Sequence, residues 1–165
     1  MADPVVPTAS IPGGKVRSQG LELEAGGQPA PGWDLLAGYA YTRTEYLQAP
    51  ATQQGQVFAP LTPKHVLNLS SRYAFRDGAL RGFSVGGGLS WRSAFYAQSG
   101  TLRIASGRYA LANLQLGYEF NQHLGLNLSV DNLFDKTYYE KVSGVARQNF
   151  YGAPRSVTLA LKLRY

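Results

Sequence analysis

The sequence predicts an all-β chain, an antiparallel up-and-down meander of about seven long strands with one apolar and one polar face. Three observations carry this reading. Apolar and polar residues alternate with period 2 along most of the chain. The segments between the alternating runs are short and long in turn. Charged residues make up only 16% of the 165 residues, while Gly (19) and Tyr (11) are abundant. Soluble domains carry roughly 25% charged residues, so a chain this poor in charge presents much of its surface to something other than water.

The elements follow in order. Residues 1–14 hold three Pro and a Gly pair and are expected to be a loop or frayed end. The first strand, near 16–26, shows Leu21, Leu23 and Ala25 against Glu22 and Glu24. The second, near 32–46, carries the row Trp33, Leu35, Ala37, Tyr39 and Tyr41. The third, near 65–76, sets Leu67, Leu69, Tyr73 and Phe75 against Asn68, Ser70 and Arg72. The fourth, near 81–96, sets Phe83, Val85, Leu89 and Trp91 against Ser84, Gly86, Gly88, Ser90 and Arg92. The fifth and sixth, near 108–120 and 123–139, continue with Ala112, Leu114, Leu116 and Tyr118, then Leu124, Leu126, Leu128 and Val130. The last, near 148–165, is the clearest: Val157, Leu159, Leu161, Leu163 and Tyr165 alternate with Thr158, Ala160, Lys162 and Arg164. A helix would mix these sets, whereas a strand sends them to opposite faces. Short connections at 27–31, 77–80 and 121–122 alternate with long ones at 47–64, 97–107 and 140–147, the asymmetry of a membrane barrel with short turns at one rim and long loops at the other.

Alternation does not say which face meets the core, because a soluble ligand-binding barrel alternates with its apolar face inward. Two features favour the inverted, lipid-facing reading. Aromatics gather at strand ends (Trp33 and Tyr46, Tyr73 and Phe75, Trp91 and Phe95, Tyr118 and Phe120, Tyr138 and Tyr139) around Leu, Val and Ala, as in an aromatic girdle. The opposite face mixes Glu22, Glu24, Arg72, Arg92, Asn127 and Asp131 with Gly and Ser, which suits a hydrated or plugged lumen. No run approaches the roughly 18 apolar residues of a membrane helix, which leaves strands as the crossing elements.

Other chemistries fit poorly. The net charge of +6 comes from scattered Lys and Arg, not the clustered patch of a nucleic-acid binder. With no Cys there are no disulfides or thiolate metal sites. Gly86-Gly87-Gly88 lies inside a strand with no following helix or Lys, so it is no phosphate loop; it suits close approach of a plug or neighbouring backbone. His65 and His123 are isolated, and Glu22 and Glu24 sit at consecutive same-face positions rather than on opposed elements. No Ser has a nucleophile elbow around it. The expectation is a protein that is not an enzyme and holds no covalently bound cofactor.

One set of motifs is more specific. Val130-Asp131-Asn132-Leu133-Phe134-Asp135-Lys136-Thr137-Tyr138-Tyr139 is followed by Tyr151-Gly152-Ala153-Pro154-Arg155-Ser156 and a last strand ending at the aromatic Tyr165. Upstream stand Gly14-Lys15-Val16-Arg17-Ser18-Gln19-Gly20-Leu21-Glu22-Leu23-Glu24, Pro63-Lys64-His65 and Tyr109-Ala110-Leu111-Ala112-Asn113. In this order, from about residue 14 to 165, the set resembles the C-terminal barrel part of TonB-dependent siderophore receptors, nearest to ferric coprogen and ferric pyoverdine receptors. The resemblance implies that residues 15–165 are a segment of a transmembrane outer-membrane β-barrel of a Gram-negative bacterium, about a third of the family's 22 strands. It implies a parent receptor that takes up a ferric siderophore, expected here to be of hydroxamate type, while the segment alone is not transport-competent.

Partners implied by the resemblance are outer-membrane lipid and lipopolysaccharide, the plug domain and remaining barrel strands, TonB through an N-terminal region not visible here, and the barrel-assembly machinery. The start Met-Ala-Asp-Pro-Val-Val lacks signal-peptide features, so a mature or truncated form is expected. Asn132, Leu133, Phe134, Asp135, Tyr151, Gly152, Pro154 and Arg155 are expected to be structural, with Asn132 and Asp135 holding a turn or bulge through short polar side chains. Leu159, Leu161, Leu163 and Tyr165 form the expected barrel-assembly signal. Tyr46, Phe58, Arg92, Tyr96 and Arg103 are the candidate ligand-facing residues. Two other readings stay open: a small stand-alone structural or adhesive barrel, which would need an eighth strand from the Pro-rich residues 3–14, and a soluble ligand-binding barrel.

Overall fold

A computed structural model describes residues 14–48, 54–58, 61–146 and 149–165. In chain order its strands are β1 (Lys15–Ala30), β2 (Trp33–Gln48), β3 (His65–Ala74), β4 (Phe83–Arg92), β5 (Phe95–Ser99), β6 (Leu102–Ser106), β7 (Tyr109–Glu119), β8 (Leu124–Asp131), β9 (Tyr139–Lys141), β10 (Phe150–Tyr151) and β11 (Ser156–Leu163). The only helical turn among the described residues is the 3-10 turn Gly78–Leu80 between β3 and β4. Seven long strands make one sheet in the order β1-β2-β3-β4-β7-β8-β11, every pair antiparallel. The predicted meander is therefore present, with β1 and β11 as its two edges and no pairing between them among the described residues. Of the expected terminal loop, residues 1–13 lie outside the described residues.

The register builds two continuous faces. One row of partners runs Leu161–Leu126–Tyr118–Phe83, and another runs Leu159–Leu128–Leu116–Val85–Tyr73–Trp33. Tyr41–Leu21 and Tyr39–Leu23 extend this apolar face to β1. Partners on the opposite face include Lys162–Gly125–Glu119, Asn127–Gly117–Ser84 and Gly88–Ser70. Opposed residues of adjacent strands share a face, so a one-residue slip anywhere would mix the two sets.

Two of the three long connections fold as strands of their own. The β4–β7 connection is the hairpin β5–β6, and the β8–β11 connection carries the pair β9–β10. This corrects the expected strand limits: β4 stops at Arg92, β8 at Asp131, and the last strand begins at Ser156. It also corrects the aromatic girdle. Phe95 is only 3% exposed and packs with Ala97, Tyr109 and Val142, with Tyr138 and Tyr139 against that cluster. These rings belong to a small core under the hairpins and not to a ring facing outward. A girdle does form at the short-turn rim, where Tyr73, Phe75, Phe83, Tyr118 and Phe120 make an unbroken chain of ring contacts.

The four buried apolar residues among those described are Phe95, Ala97, Tyr109 and Val142, all in or under the hairpins. The apolar face of the seven-stranded sheet is covered by no other layer among the described residues, and Leu159, Leu161 and Leu163 are each more than 60% exposed. Soluble monomers rarely leave a contiguous apolar patch of more than a few hundred Å² open to water. A hydrocarbon solvent satisfies such a face. Ser71 interrupts this face, and its hydroxyl is occupied by the indole of Trp33, whose Nε1 donates to Ser71 Oγ at 3.0 Å.

The polar face is packed by a different device. A side chain at Gly88 would meet Asn113 Nδ2 at 3.0 Å, and one at Gly117 would meet Ser84 Oγ at 2.6 Å and Asn127 Oδ1 at 2.9 Å. These glycines are seats for polar side chains of the neighbouring strands. In the Gly86-Gly87-Gly88 run, Gly88 thus seats Asn113, while an added Cβ would meet neighbouring backbone at the other two, Ser71 O at 3.0 Å from Gly86 and Asn113 O at 2.6 Å from Gly87.

Candidate functional site

All three long connections leave the same end of the sheet, and the polar groups that converge there make the candidate site. At that end of β4, Arg92 Nη1 donates to Tyr109 Oη at 3.4 Å. Tyr109 sits at the start of β7, opposite Arg92 and on the polar face, and its ring lies 4.5 Å from that of Tyr138. Ser106, at the end of β6, donates from Oγ to Tyr139 O at 3.2 Å and links the two hairpins. Tyr139 in turn stacks on Tyr151 at 4.5 Å and 18°, with the two phenol oxygens 3.1 Å apart. Burial, then Glu140 and Tyr109, push the Tyr138 phenol above its ordinary value of 10.0, while Arg92 opposes them. The hydrogen bond to Tyr151 raises Tyr139 in the same direction.

The five residues expected to face ligand fall into three groups. Arg92 belongs to the cluster just described. Arg103 and Tyr96 pair across the β5–β6 hairpin, with the guanidinium carbon 3.9 Å from the ring centroid. Tyr46, late in β2, meets Phe58 of the following loop edge-on at 5.2 Å. Tyr96 also lines a cavity of about 60 Å³ with Thr42, Thr44, Thr62 and Lys64. Sequence reasoning missed Tyr109 and Tyr138 as members of the site. The signal was present: Tyr109 and Leu111 are bulky residues at polar-face positions, where the pattern otherwise places Asn113, Gln115 and Gly117.

The two motif segments near the C-terminus meet in space. Asn132 and Asp135 both have positive φ, 47° and 51°, which Asn and Asp tolerate better than other non-glycine residues. Asn132 Nδ2 donates to Lys136 O and Ala153 O, each at 3.0 Å, and its Oδ1 accepts from Lys136 N at 2.8 Å. Asp135 Oδ1 accepts from Arg155 N at 2.9 Å. Leu133 N still donates to Ala112 O at 2.8 Å, so the turn grows directly out of the β7–β8 ladder. Phe134 is 78% exposed at the tip of this turn. Gly152 donates from N to Tyr138 O at 2.9 Å, and Tyr138 lies so close over it that no other residue fits.

This architecture, an uncovered apolar sheet face below hairpins that bring Arg and Tyr together, defines one wall and part of the mouth of a membrane barrel. Residues 2–133 match the family model of the TonB dependent receptor-like β-barrel, and the chain belongs to that family. The ferric-pyoverdine M114 receptor PbuA of Pseudomonas sp. (strain M114) is 37% identical over 158 residues, covering 94% of this chain and 19% of that receptor. The catecholate siderophore receptor Fiu of Escherichia coli (strain K12) is 29% identical over 157 residues, covering 92% of this chain and 20% of that protein. The pyoverdine outer membrane receptor FpvA from Pseudomonas aeruginosa PAO1, solved bound to pyoverdine, superposes with a TM-score of 0.83 at 27% identity, covering 99% of this chain and 23% of that one. The chain thus spans about a fifth of the length of the curated relatives it matches. Their names specify pyoverdine and catecholate, and the expectation of a hydroxamate-type cargo finds no support in them.

Proposed function

We propose that this chain forms part of the wall and mouth of an outer-membrane receptor that takes up ferric siderophores of the pyoverdine or catecholate class. It is an outer-membrane segment and a receptor part, not an enzyme. The observation that carries the reading is the Arg92–Tyr109–Tyr138 cluster at the loop end of the polar face, in a chain of this family. Iron(III) held by catecholate oxygens is a bulky, anionic complex with flat aromatic edges. A guanidinium offers charge and fork-shaped donors, and phenols offer both a face and a hydroxyl. Arg103 over Tyr96 supplies a second such pair.

On this reading the plug domain fills the polar face, and TonB supplies the inward pull. Tyr46 and Phe58 line the upper wall; Asn132, Leu133, Phe134, Asp135, Tyr151, Gly152, Pro154 and Arg155 set the turn from which the last strand starts. Leu159, Leu161, Leu163 and Tyr165 present the signal read during barrel assembly. Residues 1–165 alone do not transport. The test is binding of ferric catecholate and ferric pyoverdine complexes to the protein in outer-membrane vesicles, with Arg92→Gln and Tyr138→Phe variants. A loss of about tenfold in affinity for one of the two complexes with Arg92→Gln is expected, in line with one charge-assisted contact. Unchanged affinity for both in both variants would remove this cluster from the ligand surface.

A further inference from the structure

The apolar face does not end in more aromatics at the loop rim of β1 and β2; it ends in a pair of arginines. Along β2 the same-face series Trp33, Leu35, Ala37, Tyr39 and Tyr41 continues with Arg43 and Glu45, and along β1 Leu23 and Leu21 are followed outward by Gln19 and Arg17. Glu45 bridges both arginines: Arg17 Nη1 lies 3.3 Å from its Oε1 and Arg43 Nη2 lies 3.0 Å from its Oε2. The carboxylate is largely covered, with 17% of its side chain exposed, while the guanidiniums remain 49% and 56% exposed. One sheltered anion thus fixes two cations next to each other on adjacent strands, leaving their other N–H donors to face outward. Just below them, Tyr41 packs on His65 at 4.9 Å and Tyr39 hydrogen-bonds His65 Nδ1 at 2.8 Å, a set of amphipathic rings of the kind found at a membrane interface.

We propose that Arg17 and Arg43 form a docking site for the phosphate of an outer-leaflet lipid headgroup on the lipid-facing wall. This rests on the reading of the apolar face as lipid-exposed. The height fits. From Trp33 in the short-turn rim to Arg43 the strand climbs about 33 Å at 3.3 Å per residue, or about 25 Å of membrane at a 40° tilt, the height of the apolar band of such barrels. Arg43 therefore stands where hydrocarbon gives way to headgroups. Two positive charges against one negative leave the site a net cation, and paired guanidiniums match the geometry of a phosphate better than ammonium groups do. The acyl chains of the same lipid would lie down the shallow groove below, which Ala25, Gly27, Leu35, Ala37, Gly87 and Leu89 line.

The experiment uses the protein extracted from outer membranes and reconstituted in vesicles containing either diphosphorylated lipid A or the same lipid with its phosphates removed. Native mass spectrometry reads the lipid retained. Wild type is expected to retain the phosphorylated lipid at least tenfold more than the dephosphorylated one, and R17Q/R43Q to lose that preference. A nitroxide at Leu23, on the same face as Arg17, reports oxygen accessibility in each sample. Equal retention by wild type and R17Q/R43Q with the nitroxide oxygen-accessible would overturn the headgroup site and leave the lipid-facing wall standing. A nitroxide shielded from oxygen would overturn both. Retention of inorganic phosphate at this rim in the absence of lipid would overturn the assignment to a lipid.

Discussion

Replacing Asn132 should destabilise the assembled barrel by an amount set by its conformation as well as its hydrogen bonds. The side chain is buried, makes three hydrogen bonds of 2.8–3.0 Å, and sits on a backbone with φ of 47°. At about 1 kcal/mol net for each bond, removing the carboxamide costs about 3 kcal/mol. Ala adds about 1 kcal/mol more because it resists the left-handed region, whereas Gly adopts that region freely. The expected order of stability is therefore wild type, then Asn132→Gly, then Asn132→Ala. A urea titration of the protein folded into lipid vesicles, followed by tryptophan emission and extrapolated linearly, gives these differences directly. Both variants within about 0.5 kcal/mol of wild type, or Gly less stable than Ala by more than that margin, would refute the role of Asn132 as the clamp between the β8 turn and the chain entering β11.

Three further outcomes follow from the same geometry. Leu161→Arg places a cation on the lipid face and should cost about 2–4 kcal/mol near the bilayer midplane, seen as loss of the heat-modifiable band, whereas Thr158→Arg on the polar face of the same strand should assemble. Gly117→Val drives a side chain into Ser84 and Asn127, at 2.6 and 2.9 Å from its first carbon, and should cost about 1–3 kcal/mol by overpacking. Gly38→Ala, with nothing within 4 Å, should leave the urea midpoint unchanged. Tyr138, whose phenol is held above 10.0 by burial and by Glu140, contributes stability that is full below that pH and is lost as pH rises through its folded value. The difference in phenolate absorbance between wild type and Tyr138→Phe should shift to lower pH in Glu140→Gln and to higher pH in Arg92→Gln.

The long strands were legible because a sheet exposed on one face to lipid writes a strict period of two. In β11 this sets Val157, Leu159, Leu161 and Leu163 against Thr158, Ala160 and Lys162. The turn at Asn132 was legible from its residue types, because a short side chain that bonds its own backbone is what a left-handed residue needs. The β5–β6 hairpin was not. Phe95 looks like a continuation of the β4 pattern, Ala97 and Ile104 fall in the expected long connection, and nothing local says that the chain leaves the sheet after Arg92 to fold back over Tyr109. That choice is made by contacts distant in sequence, such as the bond from Ser106 Oγ to Tyr139 O. The Arg92–Tyr109–Tyr138 cluster shares this origin, since Tyr138 reaches the other two only because the β8–β11 connection turns back over the mouth.

The central claim is that alternate positions of one strand face lipid and lumen. The chain contains no Cys, so a single cysteine placed along β8 can be spin-labelled at a chosen position. With the protein in outer-membrane lipid, collisional accessibility to oxygen should peak at Leu126, Leu128 and Val130 and fall at Gly125, Asn127 and Ser129, a period of two with that phase. Accessibility that is flat along the strand, or that peaks at Asn127 and Ser129 instead, would contradict the membrane-wall account of this chain.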